Sequence, residues 1–296
     1  MQFKRWLRLA LVLVSSGLTA CSGLLFGVAN APTYFGSQQR ARDVSYGPGP
    51  RQQLDVYAPA SARQLPVVVF WHGGSWATGD KADYRFVGTA LAKHGVVAVL
   101  PNYRLYPAVK FPAFIEDATT AVAWVQAHAA EWGGDPQRIV LMGHSAGAHI
   151  ATFVAYDHGR LRRAGADPAA IRGVIGLSGP YALDPNSDLL RTIFAAPYVH
   201  EDWQPVAHID ATVPPTLLVH GAKDDVVNLR HAEKLRDALQ RAGVRVETEF
   251  YSDAGHATTL AAFAWVSGSR LPIVEQSVRF IESVTSTADV TAGRSR

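Results

Sequence analysis

The stretch Ile139-Val140-Leu141-Met142-Gly143-His144-Ser145-Ala146-Gly147-Ala148-His149-Ile150 decides the fold. Its apolar run ends in a glycine, as expected of a short buried strand. After Ser145, apolar residues return at helical spacing in Ala148, Ile150, Ala151 and Val154. Strand, tight turn and helix therefore follow one another, and the turn spells G-x-S-x-G with Ser145 at its centre. A nucleophilic serine needs its oxygen exposed at such a corner. The corner crowds the backbone, so the residues two before and two after must be tiny. Gly143 and Gly147 meet that need. The helix that starts after Ser145 aims backbone N–H groups at any developing oxyanion.

Working outward, strand-like runs and helical patterns alternate along the chain. Arg42 to Tyr46 and Gln53 to Tyr57 flank the turn Gly47-Pro48-Gly49-Pro50. Pro66 to Trp71, Val96 to Leu100, Ile139 to Met142, Val174 to Leu177, Leu217 to His220 and Arg245 to Tyr251 read as further strands. Helical patterns fall at Lys81 to His94, Phe114 to Trp132, Leu229 to Ala242 and Pro272 to Ser283, several of them stopped by glycine. The rhythm predicts an α/β fold: a mostly parallel sheet covered on both faces, with ligands at the carboxyl ends of the strands. Residues 180–215 break the rhythm. They hold Tyr181, Phe194, Tyr198 and Trp203 among prolines and polar residues. This is the expected lid insertion.

Acyl transfer by serine needs a base, an acid to orient the base, and donors for the oxyanion. In this strand–turn–helix arrangement the order is Ser, then Asp, then His. His220-Gly221-Ala222-Lys223-Asp224-Asp225 follows a buried strand, and Asp253-Ala254-Gly255-His256 follows the last one. Of the 11 histidines only His256 lies beyond the last strand, which makes it the candidate base. The candidate acid is one of the adjacent pair Asp224 and Asp225. His72-Gly73-Gly74-Ser75-Trp76 follows the strand ending at Trp71. Its glycines leave backbone N–H groups unobstructed, so Gly73, Gly74 and Ala146 are the candidate oxyanion donors.

The 296-residue chain is long enough for a full core, and 48% of its residues are hydrophobic. Its formal charge of +3 comes from Lys4, Arg5 and Arg8 near the N-terminus. No basic stripe with interleaved aromatics is present, so no nucleic-acid partner is expected. His-Glu-x-x-His is absent, and His144 and His149 do not share a helical face, so no metal site is expected. No phosphate loop or dinucleotide fingerprint occurs, and no cofactor is implied. At the N-terminus, Lys4, Arg5 and Arg8 precede the apolar stretch Leu9 to Val14 and then Leu18-Thr19-Ala20-Cys21. This resembles a bacterial lipoprotein signal over residues 1–20, with Cys21 lipidated and the protein held at a membrane of the cell envelope. An ordinary signal peptide and an uncleaved anchor are the alternatives, and all of these export the protein. Residues 21–42 read as a tether, 43–284 as the catalytic domain and 285–296 as a mobile tail. Oligomeric state is not legible.

Four separated motifs now point to a family. They are His72-Gly73-Gly74-Ser75-Trp76, Asn102-Tyr103-Arg104-Leu105, Gly134-Asp135-Pro136-Gln137-Arg138-Ile139 and Gly143-His144-Ser145-Ala146-Gly147. In this order they resemble α/β-hydrolase esterases of the hormone-sensitive-lipase-like and feruloyl-esterase-like type, over residues 43–283. The resemblance implies an α/β-hydrolase fold with an eight-stranded sheet. It implies a carboxylic ester hydrolase acting on small or medium esters, with Ser145, Asp224 and His256 as triad. Asp224 with Val227 matches the family spacing His-Gly-x-x-Asp-x-x-Val, which leaves Asp225 solvated or capping a helix. His72 would brace the glycine loop, and Asp135 and Arg138 look structural. The acid does not stand in the Asp-Pro-Leu context of hormone-sensitive-lipase relatives, which favours the feruloyl-esterase-like and arylformamidase-like branches. An arylformamidase-like amidase and a non-catalytic envelope lipoprotein are the competing readings.

Overall fold

A computed structural model describes residues 25–36, 38–264 and 271–286. Its centre is one 8-stranded sheet in the order β1-β2-β4-β3-β5-β6-β7-β8. The strands are β1 (Gln39–Ser45), β2 (Gln53–Tyr57), β3 (Leu65–Trp71), β4 (Val97–Pro101), β5 (Gly134–His144), β6 (Ile171–Leu177), β7 (Thr216–Gly221) and β8 (Val246–Tyr251). From β3 to β8 every pairing is parallel, and β2 runs antiparallel to both of its neighbours. This is the expected α/β-hydrolase arrangement.

Alternation along the central strands divides the core into two layers. Val67, Val69, Trp71, Ile139 and Leu141 face one layer with α2 (Ala113–His128), α3 (Ala146–Tyr156) and α6 (Arg230–Arg241). Val68, Phe70, Val140 and Met142 face the other with α1 (Arg85–Lys93) and α8 (Ile273–Thr285). The shorter helices are α4 (His158–Arg163), α5 (Asp188–Ile193) and α7 (Thr258–Ala261). Strand β5 sits between β3 and β6 with Trp71 opposite Gly143, so Ser145 emerges at the middle of the carboxyl edge.

Two expected boundaries differ. The helix expected from Lys81 begins as a 3-10 turn, Lys81–Tyr84, because Asp80 accepts a hydrogen bond from the Ala82 N–H and fixes a tighter start. The tether expected over 21–42 is, from residue 25 on, built into the fold. Residues 25–30 are helical, Ala31–Phe35 is a 3-10 turn, and β1 begins at Gln39. Asn30 does the clamping. Its amide donates to the carbonyls of Ala82 and Asp83 at 3.3 and 2.8 Å and accepts from the Phe86 N–H at 3.0 Å. The Phe26 ring lies 5.2 Å from that of Tyr84. A clamp made by one amide side chain leaves no periodic pattern, which is why the composition reads as a linker. At the other end, Thr285 is the last residue of α8 rather than the first of a tail. Cys21 and residues 287–296 lie outside the described residues. Among the described residues, no helix is long and apolar enough to cross a membrane.

Residues 180–215 form α5 and two 3-10 turns, His200–Trp203 and Pro205–His208. Phe194 and Trp203 turn inward and join Phe111, Phe114 and Trp76 in one buried group.

Candidate active site

At the turn between β5 and α3 the backbone is strained. Ser145 has φ 55° and ψ −121°, a conformation that costs a non-glycine residue on the order of 1–3 kcal/mol. Packing holds it there. A Cβ on Gly143 would lie 2.2 Å from the Gly147 carbonyl, and one on Gly147 would lie 2.0 Å from the Trp71 oxygen. Both positions therefore exclude every other residue. The Ser145 N–H donates to the Leu177 carbonyl at 2.9 Å, pinning the turn to the end of β6. The N–H groups of Ala148 and His149 donate to the Ser145 carbonyl at 3.0 and 3.2 Å, which leaves Ala146 and Gly147 carrying the first N–H groups without an acceptor within the helix.

The glycine loop after β3 comes up against this turn. A Cβ on Gly73 would lie 3.1 Å from that of Ser145, so the two backbones touch. Gly74 takes φ +114°, and its carbonyl accepts from the N–H groups of Ala77 and Thr78 at 3.0 and 2.9 Å. The His72 Nδ1–H donates to the Gly73 carbonyl at 2.7 Å. Burial pushes the His72 imidazole down to about 4, so it is a neutral brace. The second motif anchors the same loop. The Tyr103 hydroxyl donates to the His72 carbonyl at 3.0 Å and its ring stacks on His72 at 4.4 Å. Asn102 accepts from the Lys81 N–H at 2.7 Å and donates to Asp80 at 2.8 Å. Arg51 donates to the carbonyls of Tyr103 and Gly79, both at 2.8 Å. Arg104 grips the buried carboxylate of Asp117 with contacts down to 2.7 Å.

On the far side of the turn, the His256 Nδ1–H donates to Asp224 Oδ2 at 2.8 Å. A carboxylate can only accept, so the proton sits on Nδ1 and the lone pair on Nε2. The other carboxylate oxygen accepts from the N–H groups of Val226 and Val227 at 3.0 and 2.7 Å. His220, fully buried at the end of β7, puts Nε2 3.3 Å from Asp224 and 2.8 Å from the Val227 carbonyl. Burial alone would raise the Asp224 carboxyl, but the hydrogen bonds from His220, His256 and Val227 outweigh it and hold the group well below the usual carboxylate range. Asp225 is exposed, and Asn228 rather than Asp225 accepts from the first turn of α6, through the Arg230 N–H at 3.0 Å.

Every candidate among the described residues thus lies at the carboxyl edge. Gly73 and Ala146 meet Ser145, and Asp224 meets His256. Ser145 and His256 share no hydrogen bond in this structure. The link between their loops runs through His144 instead, whose Nε2–H donates to the His256 carbonyl at 3.1 Å. Neither the roles of Tyr103 and Arg51 in holding the loop nor this link were legible in the motif spacing. The one available signal for Tyr103 was its place in a motif with no chemistry of its own. Asp135 and Arg138 pair at 2.8 Å at the amino end of β5, far from the turn.

A cavity of about 110 Å³ opens beside Ser145. Trp76, Leu183, Leu190 and Val227 supply its apolar wall, with Asp184, Asn186 and His231 among its polar neighbours. The insertion therefore supplies part of the space next to the serine.

The geometry agrees with what the chain resembles. A BD-FAE family model matches residues 54–239. The chain belongs to the BD-FAE family. Among curated relatives, the isoprenylcysteine alpha-carbonyl methylesterase ICME of Arabidopsis thaliana is 32% identical over 275 residues, which cover 85% of this chain and 64% of that protein. Esterase LipC of Mycobacterium tuberculosis is 30% identical, over 67% of this chain and 55% of its own length. Of solved structures, esterase B from Lactobacillus rhamnosis superposes with a TM-score of 0.76 at 20% identity, covering 96% of this chain and 97% of that one. The Thermogutta terrifontis esterase Est2 gives 0.66 at 27% identity, with 81% and 91% covered.

Proposed function

We propose that this BD-FAE family member is a serine carboxylic ester hydrolase that favours short acyl groups. Ser145 would attack the ester carbonyl, His256 would take its proton through Nε2, and Asp224 would hold the imidazole tautomer and stabilise the imidazolium. The N–H groups of Gly73, Gly74 and Ala146 would receive the oxyanion. The observation that carries the reading is the strained Ser145 beside a small apolar cavity, flanked by the Asp224–His256 pair. A space of about 110 Å³ holds roughly three to four water-sized groups at about 30 Å³ each, which suits an acetyl to butyryl chain. Est2, at 26% identity or more, is described with propionate or butyrate bound and phosphonylated by sarin, which supports covalent capture by a nucleophile and the short chain.

The test is hydrolysis of p-nitrophenyl esters from acetate to octanoate, with an aryl formamide beside them. Activity should peak at two to four carbons and exceed formamide turnover. Ser145→Ala should lower kcat by about 10⁴-fold or more with the fold intact. Retained turnover within tenfold would remove Ser145 from its role. We also propose export, with a lipid on Cys21 holding the enzyme at a membrane. Support comes from the basic, apolar and small-residue order of residues 1–21. Cys21→Ser should then move activity from the membrane fraction to the soluble one.

A further inference from the structure

We propose that His144 is a positioning residue, whose imidazole ties the loop carrying His256 to the turn carrying Ser145 and so keeps base and nucleophile in register. The proposal rests on Ser145 and His256 being nucleophile and base.

Residues 252–257 leave the end of β8 as a surface loop, with Ser252, Asp253 and Ala257 exposed. The His256 side chain is held by Asp224, but that bond fixes only one end of the residue. Its backbone carbonyl is held by two donors: the His144 Nε2–H at 3.1 Å and, more weakly, the Thr259 hydroxyl at 3.3 Å. His144 is the neighbour of Ser145 in the chain, so this bond crosses directly from the nucleophile turn to the base loop. The rings of His144 and His256 lie 4.8 Å apart, tilted by 48°. On its other edge His144 Nδ1 has no hydrogen-bond partner and faces the glycine loop, where a Cβ on Gly73 would come within 3.2 Å. The imidazole is therefore a wedge between the loop that offers oxyanion donors and the loop that carries the base.

Its chemistry suits the place. His144 is only 6% exposed, and burial pushes it down to about 3, so it stays a neutral donor across the working range. A cation at this distance would oppose the imidazolium that His256 becomes in the transition state. A purely apolar side chain would fill the same space and leave the His256 carbonyl with the weaker donor alone. Ser145 and His256 share no hydrogen bond of their own here, so the His144 bond is the direct tie between nucleophile turn and base loop, and misplacement by about 1 Å can cost about 10²-fold in rate.

Three variants of the full chain test this. His144→Phe keeps a ring and removes the donor. His144→Gln restores an amide N–H at a similar reach, and His144→Asn carries an amide that falls short. The expected result for Phe and Asn is a kcat lower by about 30- to 100-fold with KM changed less than about threefold, and for Gln a recovery to within about fivefold of wild type. Labelling of Ser145 by a fluorophosphonate should slow in parallel with kcat. Should the Phe variant fail to fold, the Asn and Gln pair carries the same contrast. A kcat within twofold of wild type in Phe or Asn would overturn the proposal. So would a Gln variant as slow as Phe while melting at the wild-type temperature, since shape rather than the donor would then matter. Ser145→Ala run alongside separates the two levels. If that variant stays active, the reading of the site fails; if it is inactive and His144→Phe is not impaired, only the positioning role fails.

Discussion

Two regions border Ser145, and different forces hold them. The loop from His72 to Asp80 is tied by directed hydrogen bonds from Tyr103, Arg51 and Asn102, with distances between 2.8 and 3.0 Å. The insertion of residues 180–215 is held mainly by rings. Phe194 meets Trp76 at 4.8 Å and Trp203 at 5.6 Å, and Tyr198 meets Phe111 at 5.1 Å. Directed ties to the rest of the fold include the His149 Nε2–H donating to the Trp203 carbonyl at 2.7 Å and the Phe111 N–H donating to the Ile193 carbonyl at 3.2 Å, while Gln204 reaches the Leu183 carbonyl within the insertion. Hydrogen bonds weaken steeply when bent, so they fix a backbone in one place. Apolar contacts are non-directional and tolerate repacking. The outer side of the insertion is also partly unpacked, with Leu189, Tyr198 and Val199 at 38, 36 and 59% exposure. In the proposed reading, the side that presents donors to a charge is held by directed bonds, and the side that accommodates a substrate is held by contacts that tolerate repacking.

The comparison can be broken most severely at Asp224, the proposed triad acid. Asp224→Asn should lower kcat by up to about 10⁴-fold with little change in KM, because the wrong tautomer of His256 would then be favoured. Asp225→Asn should stay within a few-fold, since that side chain is solvated. The opposite ranking in steady-state kinetics would show that the wrong carboxylate has been chosen.

Acid should act on both regions at once. His72 and His149 are pushed down to about 4, and His144 to about 3, in each case chiefly by burial. An unfolded histidine takes its proton near pH 6.5, so between about pH 6.5 and 4 the unfolded chain binds more protons and stability falls as pH falls. Asp224, held low, adds a further loss in the same direction only below about pH 4. Tm should drop by about 5–10 °C between pH 7 and pH 5. A flat melting curve across that range would count against neutral burial of these rings.

Smaller changes separate the regions. Tyr103→Phe removes one directed bond to the glycine loop and should lower kcat about tenfold across all acyl lengths alike. Leu190→Ala on α5 enlarges the cavity and should raise hexanoate hydrolysis relative to acetate by a few-fold, leaving acetate kcat nearly unchanged. If the first change altered chain-length preference, or the second lowered all rates equally, the division of labour between the two regions would be wrong.

What the sequence makes legible follows the same division. The strand–turn–helix around Ser145 was readable because two glycines and two hydrophobic periods constrain one corner. Chain order points to His256 and to the adjacent pair Asp224 and Asp225, and only the resemblance's His-Gly-x-x-Asp-x-x-Val spacing favours Asp224. Tyr103, Arg51 and His144 act through a hydroxyl, a guanidinium and a ring that reach across the fold, and such reach has no local pattern. The arrangement of the insertion was unreadable for a related reason. Its elements are single turns, too short to show a period, and their positions depend on which ring fills which gap.

The clamp at Asn30 has a consequence for range. A twenty-residue random coil between an anchor and a domain lets the active site sweep a wide shell of solution. Here the chain is already packed on the domain at Phe26, so a lipid on Cys21 would sit only five peptide units from that contact. Five extended units span at most roughly 17 Å. The enzyme would ride close against the bilayer, with little freedom to turn, and esters would be met at the surface or not at all.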